Sequence, residues 1–143
     1  LYRSMIGGAA DWNEYYPSME NIEFDIAHDC LFVMKNQKGE IISAISIDHD
    51  EEVDKLDCWS KDFQPSAEVA RVCVRKDLQG QGIAKMMMEH VFAVLREQNK
   101  KSVHILVRDN HKVALKCYSD LGFVLVGECE LFEKHFVCME KKL

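Results

Sequence analysis

At 143 residues, 48% of them apolar and only two of them proline, the chain has the size and composition of one globular domain able to bury a full core. A disordered or collagen-like chain is excluded on composition, and no run approaches the ~18 apolar residues of a membrane span. Formal charge is −6 with no basic stripe, so nucleic acid is not an expected partner.

In chain order, Leu1 to Ile6 reads as the tail of an amphipathic helix, with a strand and the start of that helix expected before it. Trp12, Tyr15, Tyr16 and Pro17 form an aromatic-anchored loop, and Ser18 caps a helix predicted to run to about His28. Leu31–Met34 and Ile41–Ile47 are expected strands around a turn at 36–39. The acidic stretch 48–57 holds six Asp or Glu and one Lys, and reads as a solvated loop or as an attractor for a cationic acceptor. Trp59 and Phe63 follow as candidates for lining a pocket, and Pro65 precedes a strand over 69–74.

The second half is more regular. Ala84, Met87, Met88, Val91, Phe92 and Leu95 recur at three- and four-residue steps, which predicts a helix over 82–98. Val103–Val107 is a β-branched strand, Lys112–Leu121 a second helix stopped by Gly122, and 124–131 and 136–139 two closing strands. A strand-helix-strand centre demands a right-handed crossover and a parallel pair, and the flanking hairpins demand antiparallel neighbours. The expected fold class is therefore α/β: one domain with a mixed, mostly antiparallel sheet, a central parallel pair and helices on both faces. Pairing of two chains through the strands at 124–139 is a candidate route to a homodimer.

The six cysteines are scattered, with no Cys-x-x-Cys pair and no histidine spacing suited to zinc, so free thiols and no metal are expected. With no basic-then-apolar leader at the start, the expected compartment is the cytoplasm.

Chemistry concentrates where the strand ending at Val74 passes through Gln79-Gly80-Gln81-Gly82 into the long helix. The first-turn N–H groups of a helix lack internal partners and its dipole favours negative charge, so this is an anion site. Glycines at 80 and 82 let the backbone approach a diphosphate closely. No Lys-Ser/Thr follows, which excludes a Walker-type loop, and Lys85 stands where a dinucleotide fingerprint needs its last glycine.

Gln79-x-x-Gly82-x-Ala84 resembles the Gln/Arg-x-x-Gly-x-Gly/Ala signature of the GNAT acetyltransferases. Ala114-Leu-Lys-Cys-Tyr118-Ser-Asp-Leu-Gly122-Phe123 is similar to that family's Ala-x-x-x-Tyr-x-x-x-Gly-Phe ending. Together they cover residues 69–126. The resemblance implies the GNAT fold and direct transfer of an acetyl group from acetyl-coenzyme A to a primary amine of a small molecule or peptide. The alternative is a non-catalytic acyl-coenzyme A sensor on the same fold.

It further implies that Gln79, Gly80, Gln81, Gly82, Ile83 and Ala84 hold the pyrophosphate, and that the backbones of Val72, Cys73 and Val74 bind the pantetheine arm as an added strand would. Counted back from Ala114, the family's usual Asn falls at His111, with Asn110 one place earlier. Both are cofactor-side candidates. Tyr118 matches the general acid that protonates the departing thiolate. Glu68 sits where one branch of the family carries its base, and is read either as that base or as a solvated strand-end carboxylate. A thiolate at Cys73 could in principle carry an acyl group; no base is evident for it, and direct transfer is the expected route.

Overall fold

Residues 1–143 are described by a computed structural model. A short 3₁₀ turn at Tyr2–Met5 and the aromatic loop lead to α1 (Met19–Ala27), whose start follows from a reciprocal cap. The Asn21 N–H donates to Ser18 Oγ at 3.2 Å while the Ser18 N–H donates to Asn21 Oδ1 at 2.8 Å. Then come β1 (Leu31–Lys35), β2 (Ile41–Asp48), the single turn α2 (Glu51–Asp54), β3 (Ser66–Val74), α3 (Ile83–Glu97), β4 (Ser102–Arg108), α4 (Lys112–Asp120), β5 (Val124–Leu131) and β6 (Lys134–Lys142). The acidic stretch, read as loop, thus contains one helical turn, because Asp50 accepts from the Glu52 and Val53 N–H groups and caps it.

The six strands form one sheet in the order β1-β2-β3-β4-β6-β5, antiparallel throughout except for β3 beside β4. One face carries the main core, where Ile45, Val69, Val103 and Ile105 pack against Met88, Val91 and Leu95 of α3 and against Tyr118 of α4. α1 lies on the opposite face, from which Asp25 reaches Ser46. Trp59 and Val53 cover that same face farther along, over Cys138. All six cysteines are free, and no helix is long and apolar enough to cross a membrane.

The parallel pair is brief. Ser66, Ala67 and Glu68 pair with Ser102, Val103 and His104, and beyond them the two strands separate. The cause lies on β3's other side, where its ladder with β2 slips between the pairs Cys73–Ala44 and Ala70–Ser46. That slip is a β-bulge, with Arg71 at φ 50°. A bulge also shifts the side-chain alternation: Val69 and Val72 both pack toward α3, whereas Arg71 and Cys73 face away.

Positive φ is unfavourable for a long side chain and persists only where the surroundings over-determine it. Here they do. The buried Arg71 guanidinium donates to both oxygens of Asp25 at 3.0 and 3.1 Å, to Asp48 at 3.0 Å, to Tyr16 Oη at 3.1 Å and to Ser46 Oγ at 3.4 Å. This network ties α1, β2 and the aromatic loop to the residue at which β3 turns away from β4.

Candidate active site

The separation of β3 from β4 opens a cleft of about 560 Å³. Its walls are Val69–Val72 on one side and Ile105–Arg108 on the other, with Ala114 and Tyr118 of α4 and the aromatic loop residues Trp12 and Tyr16 also exposed to it. One end is acidic, with Asp48, Asp50 and Glu68. The cations Arg108 and Lys134 at the other end are both engaged by Asp11, at 3.0 and 3.4 Å.

Glu68 is 6% exposed, and its Oε1 has no hydrogen-bond partner within the protein. Burial, reinforced by Asp48, Asp50 and Asp54, pushes its carboxyl up to about 9 despite Arg71 nearby. The alternative of a solvated strand-end carboxylate therefore does not hold. Tyr118 is buried, with its ring tilted against Phe123. Burial and the neighbouring Cys117 raise its phenol above the ordinary tyrosine range, so it stays protonated at neutral pH.

Around the glycine loop, the first bond of α3 runs from the Met86 N–H to the Gly82 carbonyl at 3.0 Å, leaving the amides of Gly82 to Lys85 without intrahelical acceptors. Gly80 and Gly82 have φ of 79° and 81°, and a Cβ built on either meets no protein atom. Open space over unpaired amides is the physical requirement for seating a diphosphate. Gly82→Val should therefore weaken acetyl-coenzyme A binding by at least about tenfold, through a branched side chain at positive φ over that space. Calorimetry checks this, and unchanged affinity would count against the loop as the diphosphate seat.

The other sequence candidates are placed unevenly. Val72 lines the cleft, whereas Cys73 and Val74 do not. Cys73 packs with Trp12 and Ala44, and burial pushes its thiol up to about 12, which opposes a nucleophilic thiolate. The Gln79 side chain turns back to donate to the Val74 carbonyl at 3.0 Å, bracing the loop. His111 stands at the N-cap of α4 and lines the cleft; Asn110 does not. Neither Trp59 nor Phe63 lines it: Trp59 stacks on His104, and Phe63 sits beneath the Lys142 ammonium. Arg71, Asp25 and His104 have no role assigned from the sequence, although an Arg and a His inside apolar strand runs are available signals; Tyr16, expected as a loop anchor, also accepts from Arg71.

The sequence model of the acetyltransferase (GNAT) family matches residues 4–123. The chain belongs to the GNAT acetyltransferase family. Solved structures agree in fold. A ribosomal-protein-alanine N-acetyltransferase from Brucella melitensis superposes with a TM-score of 0.76 at 17% identity, covering 99% of this chain and 89% of that one. A GNAT-family acetyltransferase from Staphylococcus aureus Mu50 gives 0.75 at 18% identity, covering 99% and 88%. A GNAT acetyltransferase from Elizabethkingia anophelis, solved with acetyl-CoA bound, gives 0.64 at 17% identity, covering 90% and 85%. No curated protein matches this GNAT chain in sequence. It is an acyltransferase, and no group of three His, Cys, Asp or Glu side chains is arranged to hold a metal ion.

Proposed function

We propose that this GNAT enzyme acetylates a primary amine that is cationic at rest, taking the acetyl group directly from acetyl-coenzyme A. Two observations carry the reading: the cleft between β3 and β4 with a buried, partnerless carboxyl at its acidic end, and, outside the cleft's own lining, the unpaired amides and glycine-made space where the chain leaving β3 enters α3. The co-substrate supplies an activated thioester carbonyl. The amides of Gly80 to Lys85 seat its diphosphate, and the free edge of β3 beside Val72 receives its pantetheine arm.

At the cleft's acidic end, Asp48 and Asp50 favour an ammonium ion, since Arg71, the cation beside them, is also held by Asp25 and the three carboxylates outnumber it. Glu68 removes one ammonium proton, freeing the lone pair that attacks the carbonyl carbon. As the carbon–sulfur bond breaks, Tyr118 donates its phenolic proton to the sulfur, and the second proton shed by the nitrogen restores the phenol. Its raised pKa makes that donation uphill toward a thiolate of ordinary basicity, so the gain is modest.

The test is release of free thiol from acetyl-coenzyme A across a panel of primary amines. Turnover with an alkyl amine is expected, and tight co-substrate binding with no thiol released from any amine would favour a sensor instead. Tyr118→Phe should lower kcat between about threefold and thirtyfold with the acceptor KM little changed. An unchanged kcat would remove Tyr118 as the acid.

A further inference from the structure

Acetylating an ammonium ion yields the amide, the thiol and one proton that must leave; acetylating an amine already neutral in solution yields no such surplus. If Glu68 takes that proton, a carboxyl buried this deeply must pass it onward before the next turnover. The sheet holds a row of ionisable side chains at this level. Asp48 pairs with Glu68, Glu68 with His104, and His104 with Glu140, so the four side chains leave one face of β2, β3, β4 and β6 in succession.

Glu68 Oε1 and both ring nitrogens of His104 are buried without a partner in the protein, the imidazole being 2% exposed. Glu68 and His104 make no direct hydrogen bond, but they sit on paired positions of adjacent strands whose backbones run ~4.8 Å apart, a spacing that one bridging water can span. His104 Nε2 also lies 3.7 Å from Asp54 Oδ1, whose side chain is 58% exposed. Trp59 closes the ring over, stacked at 4.4 Å and 29° and fixed by its own indole N–H to the Val53 carbonyl at 2.9 Å. Glu140 is no competing outlet, because its carboxylate is already held by the Ser60 N–H and hydroxyl.

The geometry points to His104 as the proton carrier that resets Glu68, delivering to Asp54 and so to solvent. This rests on the reading of Glu68 as the base. His104 accepts the proton at one ring nitrogen and releases the proton of the other to Asp54, and exchange of tautomers restores it. Burial lowers the imidazole's pKa against the pull of Asp54 and Glu140, so it rests neutral; taking the proton from Glu68 is uphill, and the imidazolium is a transient discharged by loss of its other proton to Asp54. Glu68 is faced by Asp48 of β2, by Asp50 and Asp54 at α2, by Arg71 of its own strand and by His104 of β4.

The test is a series of primary amines from hydrazides, neutral at pH 7, to alkyl amines of pKa ~10.4. Kinetics are compared for wild type, His104→Phe, which keeps the ring stack, and Asp54→Asn on the exposed side chain. For alkyl amines His104→Phe should lower kcat at least about tenfold, while hydrazides stay within about twofold of wild type. Asp54→Asn should show the same selectivity with a smaller loss. Equal losses along the series, or none, would overturn the relay; if His104→Phe fails to fold, an unselective Asp54→Asn does so alone. Wild type inactive with every amine would overturn the acetyl-transfer reading and the relay with it.

Discussion

Replacing Arg71 with Met should lower the unfolding free energy by roughly 3–5 kcal/mol and abolish acetyl-coenzyme A binding. Asp25 is 1% exposed, and without the guanidinium its carboxylate keeps only the Ser46 hydroxyl, at 2.7 Å. An unpaired charge at that depth is among the largest single-residue penalties available. Asp48 loses a partner too but is half-open to water, so Asp48→Asn should be far milder. The second consequence is geometric. Without the network nothing over-determines the positive φ at residue 71, and β3 is free to relax toward regular pairing with β4, which would fill the cleft.

The double replacement Arg71→Met with Asp25→Leu separates these effects. Removing both charges should recover most of the lost stability, because well-packed apolar groups often match a buried ion pair, yet binding should stay lost. Urea unfolding and calorimetry on the three variants give the answer. A single-variant change below about 1 kcal/mol with binding intact would sink the claim that this network holds the cleft open.

Legibility of this arrangement in the sequence followed physical locality. Elements set by short-range chemistry were readable: the Ser18–Asn21 cap, the glycine entry to α3 and the Gly122 stop each involve residues within a few positions. Strands β3 and β6 extend beyond their expected limits because hydropathy marks apolar runs. Glu68 and Glu140 are polar residues buried in the sheet, and Ser66 is a half-buried one at its margin. The Arg71–Asp25 pair spans 46 positions and leaves only one trace, a charge inside an apolar strand. Side-chain direction was least legible. Gln79 belongs to the phosphate-loop motif, yet its amide faces the Val74 carbonyl, a choice made by local packing that residue type does not encode.

Glu68→Gln should cut kcat/KM for an alkyl amine by about 100-fold and remove the protein's part of the alkaline rise in rate. The magnitude follows from proton affinity. Moving a proton from an alkylammonium at pKa ~10.4 to an ordinary glutamate is uphill by roughly 8 kcal/mol. With Glu68 held up at about 9, the same step is uphill by only about 2 kcal/mol. The same burial that makes it a capable base leaves it mostly protonated at pH 7, so wild-type activity should climb with pH toward about 9. An arriving ammonium favours the carboxylate and draws the inflection below that value.

The stability sign is fixed by the same shift. Between the ordinary carboxylate range and about 9, the folded protein keeps a proton that the unfolded chain has lost, so wild-type stability falls as pH rises through that window. Gln cannot ionise, and the variant should be increasingly more stable than wild type toward alkaline pH while remaining far less active. Parallel stability curves for the two proteins from pH 5 to about 9 would mean that Glu68 titrates normally, and a residue charged throughout that range would meet an ammonium ion as a counter-ion rather than as a base.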